Sequence, residues 1–370
     1  MAGHDGLVWH GNMRFLIADL PESPMARRLD GTSPARRPGP ARILDVAEAA
    51  SVSVATVSRV LNGDSRVDQA LRERVLAAAS QLGYRPNRLA RNLRRQQMDA
   101  IGIVVPDIEN PHFAATVRVI EDVALGLGHR VLVCNTDEDG DRQAACLQML
   151  ADERVSGIVL SPSDPEGRID HLRDLGIPIV TIDRTLNHGA SDAVLADNVA
   201  AIRAATGRLI DAGHASIVFV GGRAEVDTGS ERQRGYLAAI EEAGLTPVLA
   251  DGRFRRDAAE VAVGTLLRGK RPVSALVAGN NLMALGAIRA IRRAGMRIPG
   301  DMAVIAVDDP PWAELLDPPL TVLAQPIHVM ATRAVDFLVR RIGGDQSPAA
   351  RDVFPLELIV RRSCGTAHLP

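Results

Sequence analysis

Cysteine is nearly absent from this 370-residue chain, which holds three: Cys134, Cys146 and Cys364. Their spacing fits no metal-ligand pattern, and an odd number cannot all pair internally. A disulfide framework is therefore excluded, and they read as buried or incidental thiols of a reduced compartment. Long apolar runs are missing too. No stretch approaches the roughly 18 residues that span a bilayer. The segment from Phe15 to Leu20 is too short, and follows too little basic charge, to serve as a signal peptide. A cytoplasmic protein with no membrane partner is expected. The signatures of common enzyme chemistry are equally lacking. Gly269-Lys270-Arg271 has neither the preceding glycine nor the following Ser/Thr of a phosphate loop. No Gly-x-Gly-x-x-Gly follows a strand, and neither His-Glu-x-x-His nor Gly-x-Ser-x-Gly occurs. None of the nine histidines lies in a nucleophile or metal pattern. No enzyme activity, metal or cofactor is expected.

What is present begins with a charge division. The net charge is only −2, yet from Arg27 to Arg95 there are 14 arginines against 6 carboxylates, while residues 96–370 carry 28 basic and 36 acidic side chains. A basic head on an acidic body suits a reader of nucleic acid whose body should not cling to phosphate. Within the basic stretch, Val46, Ala47 and Ala50 fall on one face at helical spacing. Ser51-Val52-Ser53 is a short turn, Ser53 is suited to cap a second helix, and Asn62-Gly63 to close it. Val57, Val60 and Leu61 form the apolar stripe of that helix, so Val54, Ala55, Ser58 and Arg59 are expected to project elsewhere. Two short helices around a three-residue turn make a helix-turn-helix, whose second helix enters the DNA major groove. A third amphipathic helix is expected from Val67 to Leu82, with Asp68 at its start and Gly83 at its end.

From Ala100 the texture changes. Ile101-Gly102-Ile103-Val104-Val105 is a continuous apolar strand, followed by a helix from about Pro111 to Leu127. Strands at Arg130–Cys134, Gly157–Leu160 and Pro178–Ile182 continue a sheet, with a helix from Arg142 to Asp152 among them. A second set follows Asp197: helix Asn198–Asp211, strand Ile217–Val220, helix Ser230–Glu242, strands Val273–Ala278 and Met302–Val307, and helix Asn281–Ala294 between the last two. Apolar strands separated by helices mean parallel sheets covered on both faces, here two doubly wound α/β lobes. Ligands of such sheets sit beyond the carboxyl ends of the strands. The polar groups there are Asp107, His112 with Phe113, Ser161, Asp183-Arg184, the loop from Gly221 to Arg232, Asn280-Asn281 and Asp308-Asp309. These suit a small hydroxylated ligand.

Several motifs occur in a specific order: Asp45-Val46-Ala47, Val52-Ser53, Thr56-Val57-Ser58-Arg59-Val60-Leu61-Asn62, Leu82-Gly83-Tyr84-Arg85-Pro86-Asn87 and Ala90-Arg91-Asn92-Leu93. With them the chain resembles the lactose/galactose repressor family of bacterial transcription regulators, from about Ile43 to Arg362. The resemblance implies a periplasmic-binding-protein-like body in which the helix Pro326–Arg341 returns to the first lobe and Leu356–Arg361 to the second. It implies domains at 41–86 (helix-turn-helix head), 87–97 (hinge helix) and 98–370 (effector-binding and dimerisation body). Residues 1–40 depart from the family, and Pro34-Ala35-Arg36-Arg37-Pro38-Gly39-Pro40, which cannot form regular structure, marks them as a flexible arm able to graze DNA phosphates. DNA contacts are expected from Ser53, Val54, Ala55, Thr56, Ser58, Arg59 and Asn62 of the head, and from Leu89, Ala90, Asn92 and Leu93 of the hinge.

For the effector, the resemblance points to Arg232 as the binding arginine, Asp308 as acceptor from sugar hydroxyls or base nitrogens, Asn280 as a polar contact and Phe254 as the aromatic wall. First-lobe contacts would come from His112 and Phe113, with Ser161 and Asp183 as further candidates. The implied partners are double-stranded DNA carrying a palindromic operator, a small effector, and a second copy of the chain. A sugar or sugar derivative is the commonest effector class. Val226, where the purine-binding branch carries an arginine, argues against a purine. Without a leucine heptad in Ser363–Pro370, a homodimer rather than a tetramer is expected. The competing reading, a solute-binding protein or sugar-handling enzyme of the same two-lobed shape, is opposed by residues 43–93 and by the missing signal peptide.

Overall fold

A computed structural model describes residues 41–61, 66–84, 98–167, 169–187, 191–269 and 272–365. The chain divides into two units, the first ending at Asn87 and the second beginning at Arg88.

The first unit holds three helices, α1 (Ile43–Ala49), α2 (Val54–Leu61) and α3 (Gln69–Gln81). Ser53 and Asp68 cap α2 and α3 as the sequence predicts, and at α1 the Asp45 side chain reaches back to the cap residue. The Asp45 carboxylate accepts from the Arg42 amide at 2.6 Å, Ser53 Oγ from the Thr56 amide at 3.1 Å, and Asp68 from the Ala70 and Leu71 amides at 3.0 and 3.2 Å. α3 begins two residues later than expected because Asp68 is its cap rather than its interior. Gly83 closes it in the left-handed conformation, φ +59°, where a side chain would be strained. None of these helices is long enough to persist alone in water. They hold one another through a shared core in which Val46, Val57 and Val75 are fully buried, each contributing about 1.5–3 kcal/mol.

The second unit contains two six-stranded sheets. The first lobe is built from β1 (Met98–Val105), α4 (Pro111–Gly126), β2 (Arg130–Asn135), α5 (Gly140–Asp152), β3 (Val155–Leu160), α6 (Asp170–Asp174), β4 (Ile179–Ile182) and β5 (Asp192–Ala196). The second comprises α7 (Asn198–Asp211), β6 (Ile217–Gly221), α8 (Asp227–Glu242), β7 (Val248–Asp251), α9 (Arg256–Leu267), β8 (Ala275–Ala278), α10 (Asn281–Arg293), β9 (Ala303–Val307) and β10 (Thr321–Ala324). The chain then returns through α11 (Ile327–Ile342) and β11 (Arg351–Phe354) to the first lobe, and ends the second with β12 (Glu357–Ile359). The strand orders are β11-β5-β4-β3-β1-β2 and β12-β10-β9-β8-β6-β7.

Central strands such as β3, β4, β8 and β9 are buried along their whole length, as continuous apolar runs require when helices cover both faces. The second lobe departs from a purely parallel sheet. β12 runs antiparallel to β10, pairing Leu358 with Leu323. Edge strands β7 and β11 were not legible as strands because most of their residues are only partly covered.

Three crossovers join the lobes, after β5, after β10 and between β11 and β12. Two of them touch where the Asp197 amide donates to the Phe354 carbonyl at 2.8 Å. Leu356, between β11 and β12, packs against the cores of both lobes. The strand orders also make the lobes near-copies, with β4 matching β9 and β2 matching β7. The correspondence extends to the backbone: Asp183 after β4 and Asp308 after β9 have φ of +67° and +74°, and Glu138 after β2 and Phe254 after β7 both have φ of +58°.

Candidate functional site

On the head, α2 turns Ala55 and Arg59 outward, one helical turn apart and both exposed, with exposed Ser53 just ahead of them. Thr56 and Ser58 are half-buried, and the Ser53 and Thr56 hydroxyls lie 2.9 Å apart. Val54 corrects the outward reading. It is half-buried and packs against the core, because 54, 57 and 61 fall on one stripe at helical spacing. Asn62, Leu89, Ala90, Asn92 and Leu93 lie outside the described residues, as do the arm at 1–40 and all of the proposed hinge at 87–97.

In the body, the carboxyl ends of the strands of both lobes meet at one buried pocket. It gathers His112, Phe113, Asp183, Arg232, Phe254, Asn280 and Asp308. Ser161 is not brought there. Its segment still runs beside β1, its amide donating to Val104 at 2.9 Å, so the hydroxyl stays inside the lobe. Asp309 also turns aside, to a bidentate pair with Arg361 at 2.7 and 2.8 Å.

Asp308 is the best-supported group of the pocket. Its Oδ1 accepts from Gln325 Nε2 at 2.8 Å and its Oδ2 from Asn281 Nδ2 at 2.8 Å. His112 Nδ1 stands 3.6 Å away, from the opposite lobe. Burial alone would push this carboxyl up. The charges of His112 and Arg232 and the amide donors of Gln325 and Asn281 outweigh it and hold the group below its ordinary range. Asp107, at the end of β1, goes the other way: burial pushes it up, and the Glu109 amide and Arg255 compensate only in part.

Arg232 is less available than the sequence suggests. Its Nε donates to Asn198 Oδ1 and its Nη1 to the Gly279 carbonyl, both at 2.7 Å, and Nη2 lies 3.9 Å from Asp183. Arg184 is likewise held, by a bidentate pair to Glu138 at 2.7 and 2.8 Å, with its guanidinium 4.9 Å from the centre of the Phe254 ring. Gly222 makes room for that ring, since a Cβ there would collide with it.

Thr228, from the loop singled out between Gly221 and Arg232, also lines the pocket, as do Asn110, Glu138 and Gln325, which sequence reasoning missed. Asn110 carried a signal, as a cap ahead of Pro111 at a strand-to-helix turn. The role of Glu138 depends on Arg184, 46 positions away, and Gln325 follows a strand too short to be read.

The lobes are closed upon each other. Asn281 donates to Asn110 Oδ1 at 2.7 Å, the Thr185 amide and hydroxyl to Asp227 at 3.0 and 2.6 Å, Arg255 to the Asp137 carbonyl at 2.7 Å and Arg223 to the Glu138 carbonyl at 2.6 Å. Only about 10 Å³ is left inside, room for about one water. A wider groove of about 950 Å³ runs beside the pocket and shares Glu138 with it. Its charges are mostly exposed and paired among themselves, Arg253 with Asp251 and Arg255 with Asp137, so the converging buried groups mark the inner pocket as the site. Among the described residues there is no cluster fit to hold a metal and no helix long and apolar enough to cross a membrane.

Comparison with known proteins agrees with this geometry. Residues 42–87 match the family model of bacterial regulatory proteins, lacI family, and residues 206–364 match a periplasmic binding protein-like domain. The ribose operon repressor of Halalkalibacterium halodurans is 33% identical over 321 residues, covering 87% of this chain and 96% of that protein. The lac repressor dimer bound to operator and the anti-inducer ONPF superposes with a TM-score of 0.78 at 26% identity, covering 88% of this chain and 99% of that one. The regulator CelR in complex with cellobiose gives 0.66 at 31% identity, covering 87% and 99%.

Proposed function

The chain belongs to the lacI family of bacterial regulatory proteins, and from that premise we propose that its grip on operator DNA is switched by a sugar or sugar derivative closed between the two lobes of its body. One observation carries the reading. Asp183 Oδ1, Thr228 Oγ1, Asn281 Oδ1 and Gln325 Oε1 are all buried at or beside the pocket without a hydrogen-bond partner. An orphaned buried polar atom costs about 1–3 kcal/mol. A ligand rich in hydroxyls satisfies several at once, and so stabilises the lobes around itself. The ribose and cellobiose in the names of two relatives are ligands of that kind.

On the DNA side, Ala55 and Arg59 are the base readers of the exposed α2 face. Ala55 matches a thymine methyl, and Arg59 can bridge guanine O6 and N7. One three-helix head makes few contacts, so we propose that two copies bind a palindrome, each head taking one half-site. Residues 87–97 would fold on that DNA as a hinge, with Leu93 as a minor-groove wedge and Ala90 as the small contact between paired hinges. Moving the first lobes apart would unpair the hinges and weaken operator binding.

A gel-shift assay on palindromes upstream of the chain's own gene tests both halves. Asp308→Ala is expected to bind operator normally and to lose its response to the sugar that releases the wild type. A normal response from that variant would sink the pocket assignment, and the absence of any shifted palindrome would sink the DNA reading.

A further inference from the structure

Granted that a polyhydroxylated ligand closes between the lobes, the charges lining the pocket decide what form of it can enter. Asp107, Glu138, Asp183 and Asp308 bring four carboxylates, and Arg184 and Arg232 bring two guanidinium groups. Among the lining side chains, even a protonated His112 leaves one negative charge in excess, and the nearest further cations, Arg255 at 3.6 Å and Arg223 at 3.9 Å, are already paired with Asp107 and Glu138. The two arginines are also largely committed, leaving only Arg232 Nη2, 3.9 Å from Asp183, and Arg184 Nε without a hydrogen bond. Arg184 gives both terminal nitrogens to Glu138, and Arg232 has committed Nε to Asn198 and Nη1 to the Gly279 carbonyl.

Helix starts are the other ready-made seat for a phosphate, and here they are taken. Asn110 caps α4 through the His112 amide at 3.0 Å, and Asn280 caps α10 through the Met283 amide at 2.7 Å. The Asp308 carboxylate already stands before α10, 3.4 Å from the Asn281 amide. α8 carries Asp227 in its own first turn. The unmatched atoms tell the same story from the other side. Asp183 Oδ1, Asn281 Oδ1 and Gln325 Oε1 are acceptors only, and among the unmatched atoms of the lining only Arg184 Nε is restricted to donating.

We propose that this regulator takes an unphosphorylated, electrically neutral sugar or polyol, recognised mainly through hydroxyl groups that donate, and that it rejects the phosphate ester of the same sugar. Burying an anion among an excess of carboxylates is disfavoured, whereas hydroxyl donors meet acceptors already in place. In a sequence of reactions the chain would report the sugar before phosphoryl transfer. A kinase acting on that sugar would remove the signal.

The test is calorimetric titration and thermal shift of the full chain with ribose, xylose, glucose, galactose, maltose and cellobiose. Ribose 5-phosphate, glucose 1-phosphate, glucose 6-phosphate, galactose 1-phosphate and inorganic phosphate run in parallel at matched ionic strength. The expected result is that any binder is a free sugar, and that its ester binds about 100-fold more weakly or worse. Asp183→Asn, which keeps the shape and tolerates the positive φ, should narrow that gap to about tenfold by removing one negative charge. An ester that binds as tightly as its free sugar overturns the proposal, and so does inorganic phosphate that stabilises the wild type but not Arg184→Gln. Failure of every free sugar and every anion to bind would count instead against the pocket as a polyol site, the reading on which the inference rests.

Discussion

Asp183 and Asp308 hold the same place in the two lobes, each just past the matching strand and each with a positive φ, and both face the ring of His112. Their Oδ1 atoms lie 4.0 Å from His112 Nε2 and 3.6 Å from His112 Nδ1 respectively. Left-handed backbone at a non-glycine residue costs about 1–3 kcal/mol and persists where the surroundings over-determine it, commonly at ligand sites. Here it aims one carboxylate from each lobe at a single imidazole supplied by the start of α4.

Removing that imidazole leaves two buried carboxylates without the group between them. His112→Ala is expected to weaken lobe closure, read as a larger radius of gyration in X-ray scattering and faster proteolysis of the crossover segments. An unchanged scattering profile and digestion rate would show that the other interlobe hydrogen bonds suffice.

Arg59→Ala on the exposed face of α2 should relax base preference at one position in each half-site, with a loss of about 1–3 kcal/mol on the best sequence. Binding measured against a set of single-base operator variants checks this. A uniform loss across all sequences would make Arg59 a phosphate contact.

Leu93→Ser, in the segment assigned to the hinge by its resemblance, should lower operator affinity severely. Sugar affinity measured without DNA should stay the same. A bending assay on operator DNA completes the check, and retention of both full affinity and full bend would remove the wedge.

Tyr236 is wholly buried in the second lobe, stacked on Phe219 with centroids 5.3 Å apart. Its hydroxyl donates to the Ile217 or Val248 carbonyl at 2.8 or 3.2 Å and accepts from the Val248 amide at 2.8 Å. Tyr236→Phe keeps the stack and orphans that amide, so a loss of about 1–3 kcal/mol is expected in denaturant unfolding. The sugar-binding constant should not change.

Asp345, which accepts from the Ser347 amide and from Arg340, is held down to about 2 from an ordinary value of 3.8. A carboxyl whose folded value lies below its unfolded one adds stability above the unfolded value and loses it as pH falls through the folded one. Its contribution should therefore be complete above about pH 4 and fade toward pH 2. Asp345→Asn should lower stability near neutrality, where that contribution is complete, and flatten the profile between about pH 4 and 2, so that variant and wild type converge at low pH. Carbon-detected NMR titration of the carboxyl checks the value directly.

The sequence by itself determined the head, the lobes and most of the cleft. Helix stripes such as Val57–Val60 and apolar runs such as Val304–Val307 are set by local spacing, because a helix or a central strand must bury the same face wherever it lands. The groups just past strand ends, Asp183 and Asp308 among them, were legible for the same reason. Only tertiary structure could decide how those groups spend their hydrogen bonds. Arg232 looked like a free fork until Asn198 and Gly279, from two other segments, were seen to use two of its nitrogens. Glu138 carried no signal in the sequence and joins the site only through its pairing with Arg184. Ser161 shared the strand-end signal and still faces inward, since β1 holds its backbone one step longer. Hydrogen-bond partners at distances of 20 to 171 residues along the chain leave no mark on local pattern, so the charge balance of the pocket belongs to the fold alone.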